Sequence, residues 1–378
     1  MASEFDLTTE RGLSAYLTSR SVSHTSVSLL TGGTANYVYR VTLPDGSTKI
    51  YKHAAPYLHS NTAFAFDPSR MDYEHRVLEL QTSSPHLLSS HSPEASVHAV
   101  AVHSYDKENK LLCISDGGSR HLKDAYADPT LDMSSIGAAL GRWLAALHTS
   151  TVATPLSLDP TSQNLKDNNA IAVSIYRHSY RNLSSAFAEY GDSGGNVPRY
   201  ADFIDLPDKD IEFAQQINDA YGSRLAHENE CICHGDFWPG NVLVKPASEE
   251  GGKVVLTVVD WEMTRRGTSA TDAAQFLAES LLLDRFCGHR GLVPAFLNAY
   301  LSARPEIPGK EWFRRLAIHA GVHIAFWPTR VAWTDRRGTH ALVELGKSIL
   351  RAASESKWET LFGLPLFSGM EEIFLPAF

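Results

Sequence analysis

Cysteine is scarce in this chain. Cys113, Cys231, Cys233 and Cys287 are too few and too scattered over 378 residues for a disulfide framework, which points to a reducing compartment. Long apolar runs are missing as well. No stretch nears the roughly 18 uninterrupted apolar residues of a membrane span, so no membrane partner is expected. Basic runs are also absent, and the formal net charge is −9. Nucleic acid is therefore not the expected partner, and any polyphosphate must be held by local cations. The opening residues, MASEFD, lack the basic and apolar regions of a secretory leader, so the expected location is cytoplasmic. There is no G-x-S-x-G elbow to support a serine hydrolase. Cys231-Ile232-Cys233-His234 lacks a second cysteine pair, and strand alternation explains its spacing, so zinc is not expected. His319 and His323 are four apart but lack the glutamate of HExxH. They read as packing or pocket-wall residues, and Phe326, Trp327 and Trp333 read first as core.

What is present is ordinary for a globular protein: 43% apolar and 20% charged residues, in a length that allows two lobes. Residues 8–19 read as a short helix capped by Thr8 or Thr9. From Val27 the texture turns β. A glycine turn at 32–33 leads into ANYVYRVTL and STKIYKHA, a hairpin about Pro44-Asp45-Gly46. Residues 70–81 have helical apolar spacing. ASVHAVAVHSYD and KLLCIS read as two further strands, broken by Asp116-Gly117-Gly118. Residues 134–150 and 208–228 read as helices, 191–198 as a loop, 231–260 as a β insertion, and the remainder to about residue 357 as helical. The layout predicts an α+β chain with a β-rich lobe at 1–115 and a larger helical lobe at 116–378.

The strongest segment is HGDFWPGN, residues 234–241, followed by VLVK and by VVLTVVD ending at Asp260. The two β-branched runs flank PASEEGG, a turn composition, and form a hairpin. The midpoint of Asn241 and Asp260 falls within that turn, so folding returns Asp260 to the side of Asn241. Phosphoryl transfer needs a carboxylate to take the proton of the attacking hydroxyl, and oxygen ligands to hold Mg²⁺ across the phosphates of ATP. Asp-x-x-x-x-Asn followed by an Asp at a strand end supplies these parts. Asp236 is the expected base, and Asn241 and Asp260 the expected metal ligands. Glu262 joins them as a ligand of a metal-bound water or second ion if the strand continues. Any one of these residues alone would more often be a turn or strand-end residue; the joint pattern carries the expectation.

A second set lies in the β-rich lobe. The turn containing Gly32, Gly33, Thr34 and Asn36 sits between strands, where backbone N–H groups can approach phosphates. Lys52 is placed to contact the α- and β-phosphates, with Glu74 on the next helix to fix it. Lys49 and Glu79 compete for those roles, and position relative to the glycine turn favours Lys52 and Glu74. After KLLCIS, Ser115 and Gly117 could present backbone groups to adenine, with Ile114 lining the slot.

These residues resemble the aminoglycoside phosphotransferase-like, or choline/aminoglycoside kinase-like, family. The resemblance runs through GGTANYVYRV, YKHA, DYEHRVLEL, LLCISDGG, GAALGRWLAALH, HGDFWPGN and VVDWE. Within the family the chain looks most like fungal methylthioribose-kinase-like proteins, through FDLTTERGLSAYL, KHAAPYL and AIHAGVHIAFW. The resemblance implies a protein-kinase-like two-lobed fold, the roles given above, and a supporting role for Asp272 beneath the catalytic loop. It also implies an acceptor of the hydroxylated amine, indole or thio-sugar type. Eleven residues between Asp260 and Asp272 leave no room for a peptide-docking segment, so a small hydroxylated acceptor is expected. The competing reading is a nucleotide-binding scaffold or pseudokinase.

Overall fold

The computed structural model describes residues 5–83, 94–190, 208–245, 254–307 and 309–374. The expected loop at 191–198 and the hairpin turn lie outside them. The N-terminal part is built around a five-stranded antiparallel sheet in the order β1-β2-β3-β8-β7. Its strands are Ser26–Leu29, Tyr37–Thr42, Thr48–His53, Leu111–Ser115 and Val102–Asp106, for β1, β2, β3, β8 and β7. Alternation gives the sheet two apolar faces. Tyr39, Val41, Tyr51 and Cys113 pack under helix α1 (Glu10–Ser19), which Thr9 caps through Gly12 N–H. Ile50, Leu112 and Ile114 face the main core. Lys52 shares their side of β3, two residues from Ile50, and so is aimed inward rather than at solvent. A small hairpin, β4 (Tyr57–Leu58) with β5 (Asn61–Ala65), precedes helix α2 (Arg70–Ser83).

The predicted strand ASVHAVAVHSYD is two strands. Residues Val97–Ala99 form β6, which leaves the five-stranded sheet and pairs in parallel with β11. Only Val102–Asp106 continues as β7 beside β8. The switch falls where the spacing of buried residues breaks, between Val97 and Val100.

The rest is mainly helical: α3 (Leu122–Ala125), α4 (Met133–Ser150), α5 (Ala170–Arg181), α6 (Leu183–Tyr190), α7 (Asp208–Ile217), α8 (Ser269–Cys287), α9 (Leu292–Ala303), α10 (Lys310–Phe326), α11 (Arg336–Ser354), α12 (Trp358–Phe362) and α13 (Glu371–Phe374). Gly137 and Gly141 let α4 approach α9 closely: a Cβ at Gly141 would lie 2.3 Å from Phe296 O. Four short strands complete the region. β9 (Cys231–Cys233) pairs with β12 (Arg265–Gly267), and β10 (Val242–Lys245) pairs with β11 (Val255–Val258). The fold is the expected protein-kinase-like one, a sheet-rich N-terminal part followed by a largely helical part. No helix among the described residues is long and apolar enough to cross a membrane.

Candidate active site

The β10–β11 hairpin forms in nearly the expected register. Val242 faces Val258, so the partner of Asn241 is Val259, whose N–H donates to Asn241 O at 3.0 Å. Asp260 lies one residue beyond and turns back in the left-handed region, φ +67°. That conformation costs a non-glycine residue of order 1 kcal/mol. It ends the strand and starts a 3₁₀ turn at Trp261–Met263. The premise that carried Glu262 to the metal side, a continuing strand, is therefore wrong. Glu262 nevertheless reaches the same neighbourhood. One ligand oxygen each from Glu74, Asp260 and Glu262 lie within 4.8 Å of one another. Glu262 is buried, and its Oε2 accepts from Arg70 Nε at 3.0 Å and Asn36 Nδ2 at 2.7 Å.

Asp236 sits on the loop between β9 and β10. Its Oδ2 accepts from Asn241 Nδ2 at 2.9 Å and its Oδ1 from Gln275 Nε2 at 2.6 Å. Burial pushes its pKa up to about 7, with the Asp260 charge adding and the two amide donors opposing. The Asn241 amide spends its N–H₂ on Asp236 O and Oδ2, which leaves its side-chain oxygen free of that contact. Two hard oxygen donors on one hairpin end suit a divalent cation of the Mg²⁺ kind.

The loop is held from beneath. Asp272, at the start of α8, accepts from His234 N–H at 2.6 Å and from Gly235 N–H at 3.0 Å. His148 Nε2 lies 3.2 Å from the same carboxylate, and His148 Nδ1 lies 2.8 Å from Tyr300 O–H. Burial works against a charged His148, but Asp272 and Cys233 hold its pKa up at about 9. His234 Nε2–H donates to Val259 O while Nδ1 accepts from Asp236 N–H, which fixes the neutral tautomer. Gly235 has φ +81°, and a Cβ there would lie 1.7 Å from Met263 O.

Lys52 Nζ donates to Glu74 Oε2 at 2.7 Å and also contacts Asp260. Burial disfavours its charge, but Asp260, Glu74 and Glu262 outweigh this and hold its pKa above the ordinary value. Of the rival pair, Lys49 is only half-buried and Glu79 is exposed beside Arg76. Gly32 and Gly33 leave open space where a Cβ would stand, so their backbone is approachable, and Thr34 is exposed beside them. Asn36 is buried and already engaged: its amide donates to Glu262 and its oxygen accepts from Arg70. Ser115 N–H is likewise spent, on Ala101 O at 2.8 Å. Ile114 is buried in the main core, and Gly117 packs directly on Thr257 and Leu243.

Four residues in or around this site escaped the sequence reading. Arg70, His148, Gln275 and Glu279 come from distant helices. His148, Gln275 and Glu279 are polar side chains inside largely apolar helices, whereas Arg70 opens the polar helix RMDYEH, where nothing sets it apart.

Residues 26–314 match the model of a family described as the phosphotransferase enzyme family. Two curated relatives are 4-hydroxytryptamine kinases. The one from Psilocybe cyanescens is 26% identical, over 93% of this chain and 94% of its own. The one from Psilocybe cubensis is 27% identical, over 87% and 88%. Among solved structures, the aminoglycoside phosphotransferase APH(4)-Ia superposes with a TM-score of 0.50 at 11% identity, over 92% of this chain and 99% of its own. That last likeness concerns the fold alone.

Proposed function

Since this chain belongs to the phosphotransferase enzyme family and is a small-molecule kinase, we propose that it moves the γ-phosphoryl group of ATP to a hydroxyl of a small hydroxylated amine, with Asp236 as the base. The observation that carries the proposal is the environment of Asp236: a buried carboxylate, poised near neutral pH, oriented by two amide donors and facing the end of a hairpin that bears Asn241 and Asp260. Asp236 orients the acceptor O–H and takes its proton as the oxygen attacks phosphorus. Asn241 and Asp260 are the residues to hold a divalent cation such as Mg²⁺, which neutralises charge on the phosphates when bound. Lys52, fixed by Glu74, reaches for the α- and β-phosphates from the other side. The open turn at Gly32, Gly33 and Thr34 offers its N–H groups to them. Glu262 and Asn36 act in this reading as a brace between the turn and the hairpin. We place the division between nucleotide-binding and catalytic parts at residues 115/116.

The relatives make 4-hydroxytryptamine the first acceptor to test, within a panel of hydroxylated amines and thio-sugars. The Asp236→Asn variant is expected to lose about 10²–10⁴ in kcat while still binding nucleotide. Equal turnover by both proteins would reject Asp236 as the base. A wild-type chain that binds ATP but phosphorylates nothing in the panel would favour the scaffold reading.

A further inference from the structure

Gln275 and Glu279 lie four residues apart on α8, so they share one stripe of the helix. Gln275 touches the catalytic carboxylate directly. Phe286, eleven residues beyond Gln275, continues that stripe and packs against Trp333, with ring centres 6.2 Å apart. The stripe thus runs from the base to an aromatic end. Facing its middle is α10, which brings His323 Nε2 to within 2.6 Å of Glu279 Oε1. Trp327, next to His323, has its ring centre 6.2 Å from that imidazole.

Glu279 is 8% exposed, and its Oε2 has no hydrogen-bond partner among the described residues. That oxygen is not sealed off: it keeps some contact with solvent, where water or a ligand cation can satisfy it. Among the described residues no Lys or Arg pairs with Glu279. The helical rise puts Glu279 about 6 Å along the axis from Gln275. A hydroxyl seated at Asp236 and an ammonium seated at Glu279 are then separated by the span of a short aryl- or alkylamine. Indole rings lining the far end favour both a flat ring and a cation. The molecule already uses them so: Lys123 Nζ lies 4.7 Å from the centre of the Trp333 ring and 5.4 Å from that of Trp238.

We infer that Glu279, steadied by His323, is the seat for the ammonium group of the acceptor, and that it selects cationic over neutral hydroxylated compounds. This deepens the kinase reading above and rests on it.

The test compares 4-hydroxytryptamine with its N-acetyl derivative, which keeps the hydroxyl and ring and loses the charge. Wild type should prefer the amine by about 10–100-fold in kcat/KM, the worth of a charge-assisted hydrogen bond in a buried site. Glu279→Gln keeps the shape and the bond to His323. It should raise KM for the amine by a similar factor, change KM for ATP little, and reduce turnover of the N-acetyl compound far less. Glu279→Asp, which keeps the charge, should recover part of the preference. Melting curves establish that both variants fold. Equal kcat/KM for the two compounds in wild type, or equal losses on both in Glu279→Gln, would overturn the inference and leave the kinase reading standing. Turnover of neither compound would overturn the inference as well, and turnover of a different acceptor in the wider panel would then keep the kinase reading alive on its own.

Discussion

At the scale of single residues, the raised pKa of Asp236 has two measurable consequences. A base must be ionised, so kcat/KM should fall as pH drops through about 7. In the proposed reading, Asp260 would hold a divalent cation whose charge would relieve the repulsion between the two carboxylates. The same limb in kcat should therefore lie at lower pH than in kcat/KM. Stability runs the opposite way. A carboxyl whose folded pKa is raised favours the fold at low pH, and that contribution is lost as pH rises from the unfolded value near 4 to about 7. Asp236→Asn removes the penalty. It should melt above wild type at pH 8, by the equivalent of up to about 4 kcal/mol for a shift of this size, with the gap closing toward pH 4. That Asp236 and Asn241 meet was legible because both lie on one tight loop, where spacing alone fixes geometry. Gln275 and Glu279 were not. They sit on a helix buried almost throughout, so no polar stripe stood out against an apolar one.

At the scale of elements, the catalytic loop owes its shape to the end of a helix. Asp272 takes both N–H groups of His234 and Gly235, and His148 balances its charge from α4. Replacing Asp272 with Ala would strand two buried N–H groups and one buried imidazole. A loss of about 3–5 kcal/mol is expected, as for other broken buried pairs, read by denaturant unfolding. His148→Gln should cost less, because the amide can still donate to Asp272. The pairing of Val242–Lys245 with Val255–Val258 could be read from sequence since antiparallel pairing of neighbouring strands is local. Its register is shifted by one residue along the whole ladder, so that Val259 rather than Asp260 stands opposite Asn241. The parallel pairing of β6 to β11 was invisible, since their residues lie about 160 positions apart and no turn chemistry marks a long-range parallel ladder.

At the scale of the whole molecule, one guanidinium gathers much of the cleft. Arg70 is fully buried. It donates to Ala55 O, Phe66 O and Asp67 O in the N-terminal part, to Asn36 Oδ1 and Ala35 O at the glycine turn, and to Glu262 across the cleft. Arg70→Met keeps much of the volume but leaves Glu262 buried without its cation. The variant should lose about 3–5 kcal/mol of stability and bind ATP more weakly, since the turn loses its anchor. Calorimetric unfolding and nucleotide titration check the two effects separately. The sheet-first, helix-later layout was plain in the sequence from where period-2 patterns give way to 3.6-residue ones. The long-range ties across it were not, because each is a single polar residue meeting another far along the chain.

β6 gives those ties a mechanical meaning. The chain enters the catalytic hairpin's sheet at Val97–Ala99 before it reaches the connector at Asp116–Gly118. Two covalent strands of one segment therefore straddle the gap, one as a tether and one as a splint. A clamshell that gaped at the connector would have to unzip the splint, so the cheaper movement is for the Asn241–Asp260 end to ride with the sheet. The Asn241–Asp260 end is thus bound on two sides, to the sheet-rich part through β6 and to α8 through Asp272 and Gln275.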